Sequence, residues 1–66
     1  MALFYSKHAR ERMITRGIST KEIEKAIKQG LKEHQPPNKI ISHYRYFSVV
    51  YKKTKENTFI ITIKPR

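Results

Sequence analysis

One short segment carries the residues that could do chemistry. The stretch from Ser6 to Gly17 is typical of a helix that begins at a serine cap and ends at a glycine. Residues four apart lie above one another on a helix, so His8, Arg12 and Arg16 form a single column. Imidazole changes charge near neutral pH, and guanidinium groups bind phosphate oxygens through their planar forks. The column therefore favours a site for a phosphate-bearing ligand.

Composition narrows the class of ligand. The 66-residue chain carries 15 Lys and Arg residues against five acidic ones, for a net charge of +10. A field of that sign attracts polyanions, and nucleic acid is favoured over an acidic partner protein because Tyr and Phe are interleaved with the cations in the second half. There is no cysteine, and the three histidines lack metal-ligand spacing, so we expect neither metal nor cofactor. With no recognisable signal peptide or membrane span, we expect a soluble cytoplasmic protein.

The periodicity of the chain predicts the elements that position this column. Two helices are expected near residues 6–16 and 20–29, the second beginning at a capping box formed by Ser19 and Glu22. Two prolines then break the chain after a short edge strand at residues 32–35. From Ile40 the apolar period becomes two, and the last hairpin joins residues 45–53 to 57–64. We therefore expect an α+β fold, with two N-terminal helices packed on one face of a small three- or four-stranded antiparallel sheet, as a single domain over residues 1–66.

Strict alternation along the last two strands predicts which residues face the helices. The helix-facing set is expected to be Phe47, Val49, Tyr51, Phe59, Ile61 and Ile63. The opposite face then carries Tyr44, Tyr46, Ser48, Thr62 and Lys64. The predicted core consists of Met13, Ile23, Ile27, Phe47, Val49, Phe59 and Ile61.

Two motifs give the chain a family resemblance. One is His8-Ala9 followed by Arg12-Met13 and Arg16-Gly17-Ile18, and the other is Thr62-Ile63-Lys64-Pro65. The chain resembles a family of very small domains that open with His-Ala-x-x-Arg-Met-x-x-Arg-Gly-Ile and end in Thr-hydrophobic-x-Pro. That family is grouped with RelE-like toxins, within the wider set of barnase, EndoU, colicin and RelE-type ribonucleases. The resemblance implies helices packed on a small antiparallel sheet, metal-independent RNA cleavage and membership of a toxin–antitoxin pair. It also implies site roles for His8, Arg12, Arg16 and Thr62.

The candidate site residues fall into two groups. RNA cleavage without a metal needs a group that takes the 2′-hydroxyl proton, another that protonates the leaving oxygen, and cations that stabilise the phosphorane. The candidate catalytic set is His8 for proton transfer, with Arg12, Arg16, Thr62 and Lys64 at the phosphate. The candidate nucleic-acid-binding set is Tyr46, which could stack a base, together with Arg45, Lys52 and Lys53.

Simpler interpretations of these residues stay open. His8 could be an ordinary helix-end residue, the arginines could be solvated or paired with Glu11, and no glutamate or second histidine is evident as an acid–base partner for His8. The first functional hypothesis is an RNA-targeting, toxin-like endoribonuclease that acts on free or ribosome-associated RNA. The alternatives are a non-catalytic basic module that binds nucleic acid, and an interaction domain for an acidic partner such as an antitoxin.

Overall fold

A computed structural model describes residues 2–66 of the chain. It contains two helices and five strands that form one sheet, in the strand order β1-β5-β4-β3-β2. In chain order the elements are β1 (Ala2–Tyr5), α1 (Lys7–Arg16), α2 (Thr20–Gln29), β2 (Leu31–Gln35), β3 (Lys39–Tyr44), β4 (Phe47–Lys53) and β5 (Asn57–Pro65).

The α+β class is confirmed, but the predicted sheet is wrong. The sheet has five strands and is mixed, because β1 runs parallel to β5 while the other neighbours are antiparallel. The missed strand, β1, is four residues long, too short for a period of two to be recognised. Its partner also lies at the far end of the chain, and a local pattern carries no information about such a pairing.

Both helices begin at the predicted caps. The Ser6 hydroxyl accepts a hydrogen bond from the Ala9 N–H at 3.0 Å, and Ser19 and Glu22 form the complete capping box of α2. Gly17 ends α1 with φ of 66°, in the left-handed region that other residues rarely adopt. The sequence-level signals for the helix ends are therefore correct in their physical detail.

The hydrophobic core is a single layer between the helices and one face of the sheet. From α2 it receives Ile23, Ala26 and Ile27, whereas α1 contributes only Ala9 as a fully buried side chain. The helix α1 lies on β5 and β1, and α2 lies on β3 and β4. The sheet contributes Phe47, Val49, Tyr51, Ile60 and Ile63.

A β-bulge interrupts β5. On β4, Val50 pairs with Thr62 and the next residue, Tyr51, pairs with Ile60, which leaves Ile61 as an extra residue without a register partner. Side chains alternate between faces only along a regular strand. The residues of β5 before Ile61 therefore point to the faces opposite to those that strict alternation predicts.

The bulge overturns the predicted faces of β5. It turns Thr58 and Ile60 toward the helices, where they are 0% and 1% exposed, and turns Phe59 away from them. Phe59 is 42% exposed and Ile61 is half-buried, so neither belongs to the core that was predicted to include them. Met13 packs at the margin of the core, while the other four predicted core residues are buried there.

The face of the sheet that points away from the helices is partly closed by side chains of the strands themselves. His43 bridges two neighbours: its Nδ1 lies 2.7 Å from the Ser48 hydroxyl and its Nε2 lies 2.9 Å from the Glu33 carboxylate. On the same face Ile41 and Val50 are in register and buried, outside the core cluster. The His43 network supplies hydrogen bonds to the buried Ser48 and joins β2, β3 and β4.

The C-terminal end of α2 approaches β3 so closely that only glycine fits at the junction. The Ser42 hydroxyl donates a hydrogen bond to the Ala26 carbonyl oxygen. A β-carbon at Gly30 would lie 2.5 Å from that same oxygen and closer still to the Ser42 hydroxyl. Gly30 has an ordinary φ of −71°, so steric contact rather than backbone conformation demands glycine here.

We expect Thr58→Val to raise the free energy of unfolding by about 1 kcal/mol. Burial of an unpaired hydroxyl costs desolvation energy that no hydrogen bond offsets. Thr58 is completely buried, and within residues 2–66 its hydroxyl has no hydrogen-bond partner. The measurement is the free energy of unfolding from urea denaturation. Ser42→Ala is the matched control. The Ser42 hydroxyl is equally buried but is hydrogen-bonded, so its removal should lower the free energy of unfolding by about 1–3 kcal/mol. A destabilised Thr58→Val would show that the hydroxyl has a partner.

Candidate functional site

The predicted catalytic residues meet in a groove between α1 and β5. The strand β1 covers β5 only as far as Ile60, so beyond that point the start of α1, rather than a strand, borders this edge of the sheet. We call this feature the α1–β5 groove. It is lined by Ser6, His8, Arg12, Ile61, Thr62, Ile63, Lys64 and Pro65.

Ser6 holds the two walls of the groove together. Its backbone N–H donates to the Ile60 carbonyl at 3.0 Å, and its hydroxyl donates to the Ile61 carbonyl at 2.6 Å. The same hydroxyl accepts the hydrogen bond from Ala9 that caps α1. One residue therefore ends β1, begins α1 and attaches the first turn of the helix to the bulge of β5.

His8 and Arg12 are in direct contact on the helical wall. The Arg12 Nε–H donates to His8 Nε2 at 3.4 Å, a bond that engages the lone pair of Nε2. The contact is long and solvent-exposed, so it is weak. An incoming acceptor can therefore replace it at small cost and leave the Nε2 lone pair available to take a proton.

Four of the five predicted catalytic residues line the groove. His8 and Arg12 come from α1, and Thr62 and Lys64 come from β5, about 50 residues later in the chain. Arg16, the last residue of α1, is exposed and does not line the groove. The roles assigned to these residues stay predictions, although their meeting in one place is a feature of the fold.

The cations of α1 are not neutralised by carboxylates. The helix carries four Lys and Arg residues and one Glu. Within residues 2–66 the single ion pair joins His43 to Glu33, on the far face of the sheet. The helical wall of the groove therefore presents uncompensated positive charge, as a site for a phosphate requires.

The turn between β3 and β4 holds two of the predicted binding residues. Tyr46 is 57% exposed; its hydroxyl donates to Glu22 at 3.4 Å and its ring packs edge-on against Phe47. Arg45 has φ of 52° and its guanidinium lies 5.3 Å from the centre of the Tyr44 ring. Tyr44 borders the core, so its predicted place on the opposite face is wrong.

The other two predicted binding residues lie on β4, at the end of the strand that is far from this turn. Lys52 and Lys53 are exposed at the end of β4, about 20 Å from the Arg45–Tyr46 turn at the usual rise of a strand. The four predicted nucleic-acid-binding residues therefore do not form one patch. The groove runs beside the half of β4 that is nearer to the turn.

A second groove lies beside α1, at the loop that joins it to α2. We call it the α1–α2 groove, and its lining includes Tyr5, Arg10, Met13, Ile14 and Ile18. Ile14 is 82% exposed, which is unusual for so large an apolar side chain. Burial raises the pKa of the Tyr5 phenol above its ordinary value, with Glu24 adding to the shift and Arg10 opposing it. The Tyr5 phenol is consequently neutral over the physiological range.

Sequence reasoning missed Ser6 as a site residue. The signal for its capping role is plain, since serine precedes the first helical turn. Its second bond, to Ile61, depends on a bulge 55 residues away, and no local pattern reveals it. The His43–Ser48–Glu33 network was also missed, because its three members come from three different strands whose register cannot be read from the sequence.

Comparison with known families gives one match. A family model described as a domain of unknown function, DUF4258, matches residues 5–64, a stretch that includes both His8 and Lys64. No curated protein and no solved structure matches the chain. The resemblance to RelE-like toxins therefore stays a prediction.

Two properties of residues 2–66 bear on the class of site. Neither α1 nor α2 has the length and apolar character that crossing a bilayer requires. Over the same residues, no three His or Glu side chains cluster as metal ligands would.

We expect Ser6→Ala to lower the free energy of unfolding by about 2 kcal/mol, because it removes a helix cap and a hydrogen bond between elements. Chemical denaturation followed by circular dichroism measures this. Ser19→Ala is the matched control, since Ser19 caps α2 but has no bond to the sheet among those of residues 2–66, and should cost about 1 kcal/mol. Equal losses from the two variants would show that the bond to Ile61 contributes nothing.

Proposed function

Since the chain belongs to the DUF4258 family, a domain of unknown function, we propose its activity from the groove itself: RNA cleavage without a divalent metal. One observation carries the proposal. The fold gathers His8 and Arg12 from α1 with Thr62 and Lys64 from β5 in one groove. A proton carrier, two cations and a hydroxyl can supply the base and the charge stabilisation of metal-free phosphodiester cleavage, and water supplies the proton for the leaving oxygen.

The proposed reaction is an attack of the RNA on its own backbone. The Nε2 lone pair of His8 takes the proton of a 2′-hydroxyl, whose oxygen then attacks the adjacent phosphorus. Arg12 and Lys64 stabilise the charge of the phosphorane, and the Thr62 hydroxyl donates a hydrogen bond to one of its oxygens. The bond to the 5′-oxygen breaks, and that oxygen takes a proton from water. The products are a 2′,3′-cyclic phosphate and a free 5′-hydroxyl.

Two observations support nucleic acid as the ligand. The chain carries a net charge of +10, and the arginines of α1 are free of carboxylate partners within residues 2–66. The reaction requires the 2′-hydroxyl of RNA, so DNA is bound by the same charges but is not cleaved. Free RNA and RNA held on a ribosome both present this chemistry.

Two further candidate functions have structural support of their own. A non-catalytic nucleic-acid-binding module is favoured because His8 is the single histidine among the residues that line the groove. Acid–base catalysis of this reaction ordinarily uses two proton-transfer groups. An acidic partner protein, as in a toxin–antitoxin pair, is favoured by the α1–α2 groove, where the exposed Ile14 lies beside Arg10. Both candidates leave the RNA intact, so a cleavage assay separates them from the first proposal.

We expect binding of single-stranded RNA to weaken steeply with salt, with a log–log slope of about −0.7 for each phosphate contacted. Replacing Arg12 and Arg16 by glutamine should reduce affinity more than replacing Lys52 and Lys53, because Arg12 lines the groove whereas neither lysine does. Fluorescence anisotropy over a salt series measures both effects. Equal losses from the two pairs would indicate a diffuse field without a defined site.

We expect His8→Ala to cleave RNA about 10²–10⁴-fold more slowly, the usual effect of losing a general acid or base. The variant should keep most of its RNA affinity, since Arg12 and Lys64 remain. Cleavage is followed on end-labelled RNA in the presence of EDTA, and the products are tested for 2′,3′-cyclic phosphate ends.

Three outcomes of this experiment contradict the mechanism in different ways. Loss of wild-type activity in EDTA rejects metal-free cleavage, and an unchanged rate in His8→Ala removes His8 from the reaction. If the wild type binds RNA but cleaves none, free or on ribosomes, the non-catalytic module is the better interpretation.

A further inference from the structure

Two exposed phenylalanines form a stacked pair on the sheet face that points away from the helices. Phe4 on β1 is directly opposite Phe59 on β5. Their ring centres are 5.3 Å apart and the ring planes are inclined by 23°. The two residues are 48% and 42% exposed, so the pair leaves aromatic surface open to the solvent. We call it the Phe4–Phe59 platform.

Stabilisation of the sheet does not account for this exposure. A cross-strand aromatic pair does strengthen the pairing of β1 with β5, but the same gain is available to rings that are covered. Large apolar side chains left half-exposed and side by side indicate a binding surface more often than isolated ones do.

The charges around the platform indicate a class of ligand. Lys52 lies directly opposite Phe59 on β4, and Lys39 and Lys64 are on the same face by register with Gln35 and Ser48. Among the strands of residues 2–66, the only carboxylate is Glu33. It lies at the β2 edge and is held by His43. An aromatic surface surrounded by lysines matches a ligand that carries planar apolar rings on an anionic backbone, which is single-stranded nucleic acid.

The bulge connects the platform to the α1–β5 groove. Because Ile61 is the extra residue, Phe59 and Thr62 lie on the same face of β5, and Thr62 lines the groove. Three strand residues span about 10 Å. A nucleic-acid strand with one phosphate beside His8 and Lys64 therefore reaches the platform with a neighbouring base.

We propose that the Phe4–Phe59 platform stacks an unpaired base next to the phosphate held in the groove. This proposal rests on the proposed RNA-directed function and specifies its substrate as single-stranded RNA, since a paired base has no free face for the rings. Lys52 contacts the backbone beside the stacked base.

The test compares base-containing and abasic RNA. Phe4→Leu/Phe59→Leu, made in the His8→Ala background to prevent cleavage, should bind a short single-stranded oligoribonucleotide about 5- to 150-fold more weakly, the range measured for one lost stacking contact. Its affinity for an abasic oligonucleotide of the same length should be unchanged, because the cations remain. Leu31→Ala is the control, since it removes an exposed apolar side chain from β2, at the opposite edge of the sheet, and should not alter either affinity.

A second measurement needs no platform variant. An oligoribonucleotide that carries 2-aminopurine should lose fluorescence on binding to the His8→Ala protein, because stacking on an aromatic ring quenches this base. Unquenched fluorescence in the bound state, or equal affinity of the double leucine variant and Leu31→Ala, overturns the platform while leaving cleavage in the groove intact. If neither wild type nor His8→Ala binds RNA, the proposed function fails and the platform proposal fails with it.

Discussion

The Ser6 hydroxyl is the contact on which the arrangement of the groove depends. A hydroxyl can donate one hydrogen bond and accept another at the same time, and this one accepts from Ala9 while it donates to the Ile61 carbonyl. The first bond fixes where α1 begins, and the second fixes where that beginning lies on β5. His8 follows two residues later and Arg12 one turn after that, so their distance from Thr62 and Lys64 is set by this junction.

The bulge at Ile61 supplies the other half of this geometry. A bulge reorients the side chains on one side of it relative to those on the other. Here it allows Ile60 and Ile63 to be buried together in the core while Phe59 and Thr62 share the opposite face. In a regular strand Ile60 and Ile63 would lie on opposite faces, so one of them would be exposed. If Ile60 were the buried one, Thr62 would be buried with it. The cost of one unpaired residue in the ladder is thus offset by burial of both isoleucines, and the polar wall of the groove is a consequence.

The parts of this structure that could be predicted are those determined by neighbours in sequence. Helix caps at Ser6 and Ser19, the apolar stripe of α2 and the hairpin of β4 and β5 follow from patterns within a few residues, and the structure confirms them. The His8–Arg12 column is local in the same sense. The strand β1, the bulge and the bond from Ser6 to Ile61 depend on pairing between the two ends of the chain, which no local pattern encodes. The incorrect core assignment of Phe59 and Ile61 has the same origin.

The parallel pairing of β1 with β5 has a consequence for the synthesis of the protein. Residues 2–5 leave the ribosome before the other strands described here, and their partner at residues 57–60 belongs to the strand that is made after those others. Neither the sheet edge beside α1 nor the Ser6–Ile61 junction can exist on a nascent chain until β5 has emerged. Contacts between residues this distant in sequence also form late in folding, since the closure of a long loop must precede them. A nascent chain that ends before β5 therefore lacks half of the groove's wall.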